Sequence, residues 1–230
     1  MPGAEPVAVV TALEEEMRPL LRRLLRGRFR GLSLEPGVCG DGPVRAQYAL
    51  NDLLDRRPVA GVLALGIAGG LEPGLPRGQL LAGRSFLRPG APPLAAHEPW
   101  LRRAERAGAR PAAFLTETRL IASVDGKAAA FRESSAAAVD LESYVWAQEA
   151  LRRRLPFAVV RCVLDTAEED LPDLVARAQR DDGSVSRPKV ALGALRAPWH
   201  IPRLMSLARR TAAASELLAD FAERFLRDTS

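Results

Sequence analysis

Carboxylates gather in this chain where short apolar runs end. Thr11-Ala12-Leu13-Glu14-Glu15-Glu16 follows an apolar run at 7–10, Val139-Asp140-Leu141-Glu142-Ser143 ends a second, and Asp165 closes a third that runs through 157–163. A carboxyl group so placed can give or take a proton, and a single carboxylate can accept hydrogen bonds from both hydroxyls of a ribose diol. Asp140 and Glu142 flank one apolar residue, so a continuing strand would turn both to the same side. Arg161 interrupts the otherwise apolar third run. A buried guanidinium is costly unless paired, so Arg161 should meet a carboxylate, with Glu142 or Glu16 as candidates; a purely structural ion pair is the competing reading.

Two glycine-bearing turns join these carboxylates. Gly40-Asp41-Gly42-Pro43 sets a proline where a helix can start, and Gly66-Ile67-Ala68-Gly69-Gly70 follows the most apolar run and would let backbone approach a ligand. In the first segment, Thr11 and Glu14 have capping-box spacing, but a helix capped there would hold Pro19 in its interior. A start at Glu16 to Arg18 suits Pro19 better and leaves the carboxylates in or near a loop, with Glu16 as the candidate for chemistry.

The elements that must carry these groups alternate. Runs at 7–10, 37–39, 61–66, 79–82, 120–123, 136–139 and 157–163 read as strands, and amphipathic patterns at 43–54, 98–108 and 143–155 read as helices between them. This predicts an α/β fold, a single three-layer domain over 1–230, with a mixed, mainly parallel central sheet flanked by helices. Ligands of such sheets bind beyond the carboxyl ends of the strands, where the carboxylates gather. Asp181-Asp182-Gly183-Ser184 is turn chemistry, a helical cover is expected over about 198–228, and 89–93 reads as a mobile surface loop.

Composition sets the outer bounds. Hydrophobic residues at 47% and charged residues at 27% are those of a globular domain, and the longest weakly polar run, 58–71, is too short and too glycine-rich to span a bilayer. With no basic start or long apolar leader, a cytoplasmic location is expected. The net charge of +5 is scattered over helix faces and aromatics are only 5%, which argues against a nucleic-acid partner. Cys39 and Cys162 lie in apolar runs and read as buried free thiols; His97 and His200 have no companion at zinc-site spacing, so no metal is expected.

Taken together, the segments 12–16, 66–71, 139–143 and 160–167 resemble, in order and spacing, the methylthioadenosine/S-adenosylhomocysteine nucleosidases and their relatives in the nucleoside phosphorylase superfamily. The C-terminal part is closest to the hopanoid-associated phosphorylase branch. The resemblance implies that Asp165 is the acid protonating the departing purine, Glu16 the carboxylate that activates water, Glu142 the ribose ligand and Arg161 the arginine near the nucleophile. It also implies that Ile67, Ala68 and Gly69 border ribose and base, and that Leu141 stands where relatives stack a methionine on the ribose. Val124, after the run 120–123, falls on the segment that edges the purine.

Three departures bear on the reaction. Leu164 replaces the serine before the catalytic aspartate, Ile67 replaces a serine of the glycine-rich run, and Ala64 falls where phosphorylases carry a phosphate-binding arginine. Water is thus favoured over phosphate as co-substrate. The expected activity is hydrolytic release of adenine from a 5′-modified adenosine, without a cofactor, in a homodimer. The alternatives are phosphorolysis, adenine removal from adenosylhopane through a wide apolar opening roofed by the 89–93 loop or the C-terminal helix, and a non-catalytic nucleoside-binding protein.

Overall fold

A computed structural model describes residues 5–228, so residues 1–4 and 229–230 of the expected 1–230 domain lie outside the described residues. The strands are β1 (Val7–Thr11), β2 (Leu34–Val38), β3 (Gly61–Gly70), β4 (Leu80–Leu87), β5 (Leu94–Ala95), β6 (Arg110–Thr116), β7 (Ala138–Asp140) and β8 (Phe157–Asp165). The helices are α1 (Glu14–Leu25), α2 (Pro43–Arg56), α3 (Glu98–Arg106), α4 (Val124–Ser134), α5 (Ser143–Arg152), α6 (Asp173–Arg177), α7 (Arg187–Arg196) and α8 (Ile201–Arg227), with a 3-10 turn at Pro198–His200 before α8.

All eight strands form one mixed sheet. One parallel set comprises β2, β1, β3 and β8, a second comprises β4, β6 and β7, and the antiparallel pairs β3–β7 and β4–β8 join them. Strand alternation then sorts the core into two layers. Ala8, Val10, Val62, Ala64, Phe157 and Val159 face α2 and α5. Val9, Leu63, Leu65, Ala158, Val160 and Cys162 face α1, α3 and α8. Helix α8 is held by a stripe at Leu218, Phe221, Ala222 and Phe225, and burying each large apolar side chain contributes about 1.5–3 kcal/mol. Salt bridges of Arg22 and Arg23 to Glu216, and of Arg23 to Asp220, lock α8 against α1. The three-layer α/β expectation is met.

Local expectations fail in instructive places. Residues 120–123 form no strand, because Ser123 is the N-cap of α4 and accepts from Gly126 N–H at 3.1 Å. The strand β6 carries Pro111, which masked it in the sequence; β7 pairs only with Phe114–Thr116, so one side of Pro111 needs no ladder bond. Helix α1 starts at Glu14 and keeps Pro19 inside it. Its start is held by Glu16, whose carboxylate accepts from Leu13 N–H at 2.9 Å, and by three acidic residues at the positive end of the helix dipole. The glycine-rich run is strand rather than loop, since β3 continues to Gly70. The helices α6 and α7 were not anticipated.

Candidate active site

The carboxyl ends of β1, β3 and β8 lie side by side because these strands are parallel neighbours, and β7 runs back antiparallel against Gly69 and Gly70. This topological switch brings Glu16 of α1, the β3 segment 67–69, Leu141 and Glu142 after β7, and Asp165 of β8 onto the wall of one cavity of about 930 Å³. Glu16, Glu142 and Asp165 are all buried.

Glu16 is held by three backbone donors: Ala12 N–H at 3.1 Å, Leu13 N–H at 2.9 Å and Ile67 N–H at 2.9 Å. Burial nonetheless pushes its carboxyl above the usual range, against Arg161 and these donors, which pull it down. Glu142 precedes the first turn of α5, accepting from Gly42 N–H at 2.9 Å and from Arg161 Nη2 at 3.3 Å. Its carboxyl is also raised, first by burial, with the Asp140 charge adding to it.

Arg161 pairs most closely with Asp140, at 2.5 Å, and less closely with Glu142, at 3.3 Å. Its Nε donates to Ser143 Oγ at 3.0 Å, and the guanidinium lies 4.9 Å from the Trp146 ring centre. A Cβ on Gly66 would fall 2.0 Å from Arg161 Nη1, so only glycine admits this arginine between sheet and α5. Arg161 therefore lies behind the cavity and positions the carboxylates; it is not part of the wall. Asp140 borders the cavity, but its carboxylate is engaged by Arg161, Thr116 Oγ1 at 2.9 Å and Ser143. The strand ends at Asp140, so the two carboxylates share Arg161 but otherwise differ in partners, Asp140 taking Thr116 and Ser143 and Glu142 taking Gly42 N–H.

Asp165 has a partner that sequence reasoning missed. Lys127 of α4, fully buried, forms an ion pair with Asp165 and donates to the carbonyls of Thr166 and Glu169, both at 2.7 Å. Its three N–H donors thus meet three acceptors. Burial raises the Asp165 carboxyl, and Lys127 opposes that rise. The available signal was compositional: lysine occurs only at 127 and 189 in a chain that otherwise uses arginine, and a compact ammonium fits three converging acceptors that a planar guanidinium cannot.

Val124 opens α4, gives its N–H to Asp170 at 2.8 Å and lies off the cavity wall, where Leu120 and Ile121 stand instead. The 89–93 loop borders a separate cavity, with Pro89 and Ala91 in its wall. The main cavity is covered by α6, α7 and α8, through Val175, Val190, Ala191, Leu204 and Leu207. Ala64 is buried in the core. Both thiols are buried and pushed up to about 12. Among the described residues no group of three or more His, Cys, Asp or Glu side chains could hold a metal ion, and no helix is long and apolar enough to cross a membrane.

A sequence model described as the Phosphorylase superfamily matches residues 6–187. Among solved structures, the fold is similar to that of futalosine hydrolase of Helicobacter pylori strain 26695, at 15% identity and a TM-score of 0.74, covering 96% of this chain and 97% of that one. It is similar to the 5′-methylthioadenosine/S-adenosylhomocysteine nucleosidase of Campylobacter jejuni, at 16% identity and 0.75, over 96% and 98% of the two chains. The nucleosidase of Colwellia psychrerythraea 34H, solved in complex with adenine, gives 17% identity and 0.73 over 97% and 95%. No curated protein matches the chain.

Proposed function

Because this chain belongs to the phosphorylase superfamily, we propose that it hydrolyses the N-glycosidic bond of a purine nucleoside, a 5′-modified adenosine, and releases the free base. The observation that carries the reading is the convergence of three buried carboxylates from three different elements on one cavity, all three raised by burial. Cleavage of a purine–ribose bond develops oxocarbenium character in the sugar and negative charge in the leaving base. Asp165 protonates the base, Glu16 takes a proton from attacking water, and Glu142 accepts from the ribose hydroxyls. Ala68, Gly69 and Leu141 border the nucleoside.

Water is favoured over phosphate by the make-up of the wall. Its cations, Arg18, Arg22 and Arg119, stand on α1 and in the loop after β6, where Arg18 and Arg119 are exposed and Arg22 is paired with Glu216. A phosphate anion beside Glu16 and Glu142 would lack the charge-assisted donors that such ligands require. The test is incubation of the purified protein with adenosine, methylthioadenosine, adenosylhomocysteine and inosine, with and without phosphate, with free base read by chromatography. Base release without phosphate is expected. Strict phosphate dependence would make it a phosphorylase, and the absence of release from every nucleoside would leave a nucleoside-binding protein.

The breadth of the cavity favours a second reading of the substrate. Beyond the carboxylates the wall includes Ile121, Leu171, Val175, Val190, Leu204 and Leu207. A large apolar 5′ substituent, such as that of adenosylhopane, suits this lining. In a series of 5′-alkyl adenosines, KM is expected to fall about four-fold for each methylene that becomes buried. A flat series would exclude an apolar substituent.

A further inference from the structure

The segment 183–215 contains Arg187, Lys189, Arg196, Arg203, Arg209 and Arg210 and no carboxylate. Elsewhere several arginines are matched with acidic partners, for example Arg22 of α1 with Glu216 and Arg102 and Arg106 of α3 with Glu98 and Asp228. Lys189, Arg196, Arg203 and Arg209 are exposed, and among the described residues none forms an ion pair.

The same segment exposes large apolar side chains. Leu195 is 78% exposed, Trp199 71% and Met205 56%, with Leu192 and Ile201 also exposed. Helical geometry sets these residues in order. Along α7, Val190 and Ala191 turn toward the cavity while Leu192 and Leu195 share the outward side with Lys189 and Arg196. Along α8, Ile201, Met205 and Ala208 form an i, i+4, i+7 stripe whose inner edge, with Leu204 and Leu207, is the cavity wall.

An apolar ridge with an exposed tryptophan, bordered by unpaired cations and free of carboxylates, has the make-up of a surface that sits at a lipid headgroup boundary. We propose that α7, the 198–200 turn and the first turns of α8 dock this protein on an anionic lipid bilayer. The charge decides between occupants: a second copy would bring an equally cationic patch against this one, whereas an anionic leaflet offers the opposite sign. The surface begins where the family match, which ends at residue 187, stops. If the apolar-tailed substrate proposed above is correct, the tail would pass from the bilayer into a cavity whose cover is the docking surface itself.

The experiment is sedimentation of the full chain with vesicles of phosphatidylcholine alone or mixed with phosphatidylglycerol, together with tryptophan fluorescence. Binding is expected only to the phosphatidylglycerol vesicles, with loss at high salt and a blue shift that a Trp199→Ser variant lacks. Each cation at an anionic leaflet contributes about a five-fold factor, so Arg196→Gln with Arg203→Gln should weaken partitioning about 25-fold. Leu195→Ser with Trp199→Ser should weaken it at least ten-fold, with unchanged thermal melting. Equal binding to neutral vesicles, no binding to anionic ones, or variants that bind like the wild type would overturn the proposal. So would light scattering showing that Leu195→Ser with Trp199→Ser dissociates an oligomer. Base release from a soluble nucleoside is scored separately, so failure of the docking and failure of the hydrolytic reading give different results.

Discussion

Asp165→Asn is expected to lower kcat for base release by about 10²–10⁴-fold, the usual contribution of a positioned general acid, while KM changes little. Asparagine fills the same space and keeps an oxygen for Lys127, but it has no acidic proton to pass to the purine. The pH dependence gives an independent reading. Asp165 must be protonated to act, and burial holds its carboxyl above the ordinary range, so kcat/KM should fall as pH rises through that raised value. Glu16 must be ionised, and burial raises it as well, so the acid limb of the profile should also lie above the usual glutamate range. The two limbs together make a bell whose apparent values belong to the coupled site. An Asp165→Asn enzyme that kept most of its turnover would end the assignment.

Lys127→Met is expected to act in the opposite sense on the profile. The ammonium lowers the Asp165 carboxyl against the burial that raises it, so its removal should move the alkaline limb to higher pH. The same change makes Asp165 a weaker acid and frees its orientation, and kcat should fall by about 10²-fold even where the acid is fully protonated. A merely structural lysine would lower stability without moving the limb. Stability should respond with a definite sign. A carboxyl whose folded value exceeds its unfolded value loses stability as pH rises from the unfolded toward the folded value, and the loss grows when its cation is removed. The gap in melting temperature between wild type and Lys127→Met should therefore widen from acid to alkaline pH. Leu164 offers Asp165 no hydrogen bond of its own, and the donor comes from α4, across the fold.

The fold class was legible because strand and helix periods are local, and the ends of β1, β3, β7 and β8 were found within a few residues by their apolar runs. That Glu16 and Asp165 would share a cavity also followed from sequence, since parallel strands collect their carboxyl ends at one edge; Glu142 joins them because β7 runs back antiparallel against β3. Burial cost is a property of the guanidinium itself, so the need of Arg161 for a partner could be read from its neighbours. Glu142, one of the two candidates, is a partner at 3.3 Å; that Asp140 is the closer one could not be read, because it depends on β7 running antiparallel and stopping there. The tertiary structure alone decided the rest. The glycine run became strand because β8 and then β7 pair with it, and Gly66 leaves the space that Arg161 fills. Lys127 became an active-site neighbour because α4 turns it inward against Asp165. A C-terminal helical cover was expected, but that α6 and α7 join α8 in folding back over the strand ends is a long-range closure that no local periodicity encodes.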